Sequence, residues 1–217
     1  MKEESRKLKI MVSSTVYGIE ELLDRVYTLL TSFGYEVWMS HKGTVPVFSS
    51  RTAFGNCLKA VENCDLFLGI ITTSYGSGQD PKDPLSRSIT HHEILKAIEL
   101  NKPRWLLAHE NVVFARTLLD NLGYKGKKGR EKLKLKKNQV FTDLRLLDLY
   151  EEATIDHEAP LTVPLAERRG NWVQKFRSNI DGSIFVSAQF FRYQEVDEFI
   201  RENFQNGDPF PKNGGNT

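Results

Sequence analysis

The run Thr90-His91-His92-Glu93 gathers the side chains of this sequence most able to do chemistry. His-His-Glu suggests a metal at first sight. Neighbouring helix residues point about 100° apart, however, so two adjacent histidines cannot share an ion as residues at i and i+4 would. Metal catalysis is therefore not expected. Glu93 itself has two readings. Thr90-x-x-Glu93 fits a capping box, with the Thr hydroxyl taking the third helical N–H and the Glu reaching back to the cap N–H. Alternatively, Glu93 opens the helix after the third strand and faces the ligand-binding edge of a sheet. There a carboxylate holds a ribose hydroxyl or stabilises a cationic transition state.

Other motifs carry less. Gly76-x-Gly78 lacks the third glycine of a dinucleotide fingerprint and follows the third strand rather than the first. Gly126–Gly129 (GKKG) has no Gly-Lys-Ser/Thr and is not a phosphate loop. Cys57 and Cys64 fall on one helical face. Their separation, about 10 Å, is too long for a disulfide, which leaves two small buried hydrophobes. Lys125, Lys127, Lys128, Arg130, Lys132, Lys134, Lys136 and Lys137 stand against the single acid Glu131. A charge run of this kind, with only Tyr124 near it to stack on bases, reads as a solvated segment at the sheet edge; nucleic acid is not the expected partner.

The elements that must position these residues alternate between two periods. Lys9–Ser13, Tyr35–Met39, Leu66–Ile71 and Arg104–Ala108 are short apolar runs, read as strands. Leu22, Leu23, Val26, Leu29, Leu30 and Phe33 recur at helical spacing and stop at Gly34. Further helices are expected around Phe54–Cys64, over Thr90–Leu100, over Val112–Leu122, over Leu144–Ala153 and over Gln194–Phe204. Gln139–Thr142 is the expected fifth strand, and Trp172–Phe176 the expected start of a helix. Such alternation means βαβ units. The fold class is α/β, a five-stranded parallel doubly wound sheet of order 2-1-3-4-5 with a C-terminal helical or irregular extension. Its ligand edge is formed by the loops Ser13–Gly18, His41–Ser50 and Thr72–Thr90, rich in Ser, Thr and Gly. The expected division is 1–154 for the α/β domain and 155–217 for an extension packed on it. Within the extension, Asp156–Arg169 reads as a linker and Gly207–Thr217 as a frayed tail.

The 217 residues are 40% hydrophobic and 27% charged, enough apolar content for a real core. Lys and Arg total 30 against 28 Asp and Glu, a balance that selects no polyanionic partner for the whole chain. No apolar run approaches the ~18 residues of a membrane span, and Met1–Lys9 is too polar for a signal peptide. The expected location is cytoplasmic, with no membrane.

Taken together, Lys9–Thr15 (KIMVSST), Asp65-Leu-Phe-Leu-Gly, Tyr75-Gly76-Ser77 and Ser88-Ile-Thr90-His-His-Glu93 resemble the family called domain of unknown function 4062. The resemblance covers about residues 8–115. That family is similar to TIR and nucleoside deoxyribosyltransferase folds, and TIR relatives take part in bacterial anti-phage defence. The resemblance implies a catalytic Glu93, with Ser13, Ser14, Thr15, Tyr75, Gly76, Ser88 and Thr90 at motif positions around the substrate. Val16-Tyr17-Gly18 departs from the family's pattern, which places an acid after an aromatic.

What the resemblance implies chemically is an NAD glycohydrolase or ADP-ribosyl cyclase. NAD is then a substrate and no cofactor is needed. Tyr17, Phe48 or Tyr75 would stack on the nicotinamide. The alternative is a non-catalytic TIR-like module for protein assembly, or a sensor of a nucleotide messenger. A separate effector protein or further copies of the chain are the expected macromolecular partners.

Overall fold

The computed structural model describes residues 6–76, 78, 83, 85–136, 141, 143–154 and 172–204. In chain order these form β1 (Lys9–Ser14), α1 (Glu20–Ser32), β2 (Glu36–Met39), a 3-10 turn (Ser40–Lys42), α2 (Ala53–Asn63), β3 (Leu66–Ile71) and α3 (Ile89–Glu99). They continue with β4 (Arg104–His109), α4 (Glu110–Asn121), α5 (Gly126–Arg130), α6 (Arg145–Thr154), β5 (Val173–Phe176), α7 (Asn179–Phe190) and α8 (Tyr193–Phe204). The strands make one five-stranded sheet of order β2-β1-β3-β4-β5, and every pair is parallel. The expected α/β class and strand order are therefore those of the molecule.

Two apolar layers sandwich the sheet, and the pleat decides which residue joins which. Ile10 and Val12 of β1 join Leu22, Leu23, Val26 and Leu30 of α1 and Val186 and Phe190 of α7 on one face. Met11, one residue out of phase, joins Val61 of α2, Ile94 and Ala97 of α3 and Leu147 of α6 on the other. All six residues of β3 are buried, as a central parallel strand covered on both sides requires. Gly69 in β3 has a packing role: a Cβ there would lie 2.7 Å from Leu106 Cδ2 and 3.3 Å from Ile94 Cγ1. The bare backbone lets α3 settle close to the sheet, which brings the start of that helix to the carboxyl end of β1.

The fifth strand is not where the sequence pattern puts it. Val173–Phe176, read as the start of a helix, pairs with β4 from Leu106↔Val173 to His109↔Phe176. The strand is four residues long at the sheet edge with only Phe176 buried, so it carries no strong apolar run to mark it. Apart from Phe141, the expected strand Gln139–Thr142 lies outside the described residues, as do the expected linker Asp156–Arg169 and tail Gly207–Thr217. α7 then covers α1, with the Gly182 backbone so close that a Cβ would sit 2.8 Å from Leu22 Cδ1. α8 closes this face through Val196, Ile200 and the Tyr193 hydroxyl, which accepts the Leu8 N–H at 2.8 Å. No helix among the described residues is long and apolar enough to cross a membrane.

Candidate functional site

Ser88 has the extended backbone that a helix cap needs, φ −71 and ψ 161, and its Oγ accepts the His91 N–H at 3.3 Å. α3 therefore starts at Ile89, and Thr90 lies within it. The Thr90–Glu93 capping box is not formed. With the cap two residues earlier, Glu93 falls beyond the first helical turn and points down onto the sheet.

There it is buried, 4% exposed, and its Oε2 accepts a hydrogen bond from Ser13 Oγ at 2.5 Å. Ser13 stands near the end of β1 and pairs with Gly69 of β3, at the point where the strand order reverses. The Cys57 thiol of α2 lies beside Glu93 and Ser40. Burial pushes the Glu93 carboxyl up to about 7, while the bond from Ser13 and the adjoining Cys57 thiol pull it down. Burial, together with the adjoining Glu93, pushes the Cys57 thiol up to about 12, so it remains a protonated donor. Ser13, Ser14, Val16, Ser40, His41 and Glu93 enclose about 20 Å³, room for about one water.

The other candidate residues are spread over separate places. Thr15 is buried against the Tyr75-Gly76 turn, where Gly76 has φ +87 and a Cβ would meet Thr15 Oγ1 at 3.3 Å. Ser14 Oγ donates to the Ile70 carbonyl at 3.1 Å and so ties the ends of β1 and β3 together. Tyr17 is 68% exposed beyond β1. Phe48 is half-exposed, lies against the Arg51 guanidinium and lines a separate cleft with Trp38 and Lys59. Thus Ser13, Ser14 and Glu93 come together, whereas Phe48 is part of a different surface.

Tyr75 belongs to a buried chain next to the site. Its hydroxyl is 3.4 Å from the Ser88 N–H, which it accepts, and 2.7 Å from His91 Nδ1. His91 Nε2 is 2.9 Å from Glu152 Oε2 on α6. A tyrosine that donates to Nδ1 leaves a ring proton on Nε2 for the carboxylate. The Arg145 guanidinium lies over the Tyr75 ring at 4.6 Å, and its Nη1 donates to the carbonyls of Leu85 and Ser86. His92 turns away and meets Asp83 at 3.1 Å. The two histidines thus serve different carboxylates. Among the described residues, no group of three or more His, Cys, Asp or Glu is placed to hold a metal.

The basic segment is anchored at one residue. Arg130 is buried, and its Nη2 bonds to Asp148 and Glu151 of α6 at 2.6 Å each. Lys125, Lys127, Lys128, Lys132, Lys134 and Lys136 are exposed around it.

A family model described as Domain of unknown function (DUF4062) matches residues 9–205. The chain belongs to this family. The match runs from the first residue of β1 past the end of α8. The family thus reaches well beyond residues 8–115, over which the motifs carry the resemblance, and takes in β5, α7 and α8. No curated protein matches the sequence.

Cys57, Ser40 and Glu152 escape a reading of the sequence. The helical spacing does place Cys57 on the inward face of α2, but its place beside Glu93 depends on α2 packing beside α3, which no local pattern encodes.

Proposed function

We propose that this DUF4062 chain is a TIR-like enzyme that binds NAD or a related nucleotide at the carboxyl edge of its sheet and cleaves an N-ribosyl bond with Glu93. The observation that carries the reading is the Glu93 carboxyl itself: buried at the strand-order reversal, raised to about 7, and held by the uncharged Ser13 hydroxyl with the neutral Cys57 thiol beside it. A structural carboxylate in a core is ordinarily paired with a cation. One held only by neutral donors, where the sheet binds ligands, keeps its charge free for a substrate.

In the proposed reaction the bond from ribose C1′ to the nicotinamide nitrogen breaks, and its electron pair leaves with neutral nicotinamide. Positive charge builds on C1′, and the ionised Glu93 stabilises it. Water then adds to C1′ and releases a proton, giving linear ADP-ribose; attack by the adenine of the same molecule gives the cyclic product. Ser13 holds the carboxylate in place. The space of about 20 Å³ beside Glu93 does not admit a ribose, so the loops after β1 and β2 must part before substrate enters. A role in anti-phage defence rests on the resemblance alone.

The same closure favours a second reading, a non-catalytic module for assembly or messenger sensing, in which Glu93 is a buried acid that never meets a substrate. Nicotinamide release from NAD, with and without added effector protein, separates the two. The catalytic reading expects release by the parent and at least about a hundredfold less from Glu93→Gln. Equal turnover by both, or none from the parent under every condition, leaves the module.

A further inference from the structure

We propose that His41 is a second catalytic residue of the Glu93 site, the general base that takes the proton of the attacking water. The inference rests on the catalytic reading of Glu93. In that reading water adds to C1′ and a proton must leave. Glu93 is engaged with the positive charge at C1′, and the hydroxyls and the thiol around it are too weakly basic for the task.

The space of about 20 Å³ beside Glu93 has the size of one water and the polar walls that a water needs. Ser13, Ser14 and Ser40 bring hydroxyls to it, Glu93 a carboxylate and His41 an imidazole. His41 stands in the 3-10 turn after β2, and its Nε2 is 2.9 Å from Asp24 Oδ1 on α1. In the neutral ring the Nε2 proton goes to Asp24, which leaves the lone pair on Nδ1. Among the described residues, Nδ1 has no hydrogen-bond partner. A ring held at one nitrogen by a carboxylate and open at the other is the arrangement of a general base. Lys42 Nζ reaches the same Asp24 oxygen at 2.6 Å, so the carboxylate is fixed from two sides. The other described histidines are spent elsewhere. His91 has a partner at each nitrogen, His92 meets Asp83, and His109 Nδ1 caps α4.

The proton is accounted for at each stage. As the water oxygen bonds to C1′, one O–H bond breaks and its proton goes to His41 Nδ1. Asp24 stabilises the imidazolium so formed, and the half-exposed pair hands the proton on to solvent. The turn that carries His41 is one of the two that part to admit substrate. Closing again over the ribose, it delivers the base and the water together.

The test follows NAD with the full chain, in buffer alone and with 3-acetylpyridine added. A pyridine nitrogen attacks C1′ with its own lone pair and has no proton to lose, so base exchange needs Glu93 but no general base. His41→Gln should hydrolyse NAD about a hundredfold more slowly than the parent and still exchange the base at near the parent's rate. Asp24→Asn, which no longer stabilises an imidazolium, should shift the balance in the same direction. Unchanged hydrolysis in His41→Gln would overturn the assignment and leave Glu93 as the catalytic group. An equal loss of hydrolysis and exchange would overturn it too, since His41 would then shape the site without taking a proton. A parent that neither hydrolyses nor exchanges overturns the reading of Glu93 and this one with it.

Discussion

Ser13, near the end of the first strand, gives its hydroxyl to Glu93 on the third helix, and this bond joins two elements 80 positions apart. It is made on a carboxyl that burial holds near 7 instead of its ordinary 4.5. Between those values the unfolded chain has released the proton that the folded protein keeps. Stability therefore falls as pH rises from 4.5 through about 7, then levels off. The cost is about 3 kcal/mol over the window. Glu93→Gln should match the parent near pH 5 and exceed its stability by up to that amount at pH 8. Denaturant melts of both proteins at the two values provide the check; a gap that does not change with pH would sink the idea.

Cys57 tunes the same carboxyl from the other side. Its thiol stays protonated beside the carboxyl and favours the ionised Glu93, and Cys57→Ala removes that support. The midpoint of the pH–stability curve should move up by no more than about one unit, the ceiling that a net hydrogen bond of ~0.5–1.5 kcal/mol would set. A midpoint that stays put or falls would show that the thiol does not act on Glu93.

Arg130 and its lysine neighbours should behave oppositely. Arg130→Met strands Asp148 and Glu151, and a loss of about 3 kcal/mol is expected. Changing Lys127, Lys128, Lys132 and Lys134 together to Ser should move stability by no more than about 1 kcal/mol, as these side chains are exposed. Thermal melts of the two variants settle it. Equal losses would mean that the segment is held by its lysines as well.

A chain ending at Thr154 lacks Phe176, Val186, Phe190, Val196 and Ile200, all buried against the first layer of the core. It should aggregate or bind a hydrophobic dye strongly. A monomer with the parent's Tm would be the contrary result.

Elements with their own hydrophobic period were legible in the sequence. Leu66–Ile71 is a strand with the bounds its apolar run suggests, and α1 stops at Gly34, whose φ is +105. β5 was not legible, because an edge strand reading Val-Gln-Lys-Phe is specified by its pairing with β4 rather than by its own pattern. The helix start misled for a related reason. Ser88 and Thr90 are both good caps, and the choice between them is made by the backbone of the turn before α3, not by side-chain type. Glu93 could be picked out by type and position. Its partners could not, since Ser13 and Cys57 reach it only once α2, α3 and β1 have packed together.

The placement of β5 has a consequence for how the protein is made. β4 is complete at His109, but its outer edge is paired only when Val173–Phe176 arrives. At ~5–20 residues per second, synthesis of the intervening chain takes roughly 3–13 s. During that interval a nascent molecule shows the ribosome's surroundings an open strand edge and the uncovered Leu22–Leu30 side of its first helix. The last strand and α7 close both at once. Slowing elongation between His109 and Val173 should therefore lower the yield of folded protein without changing the stability of the molecules that survive.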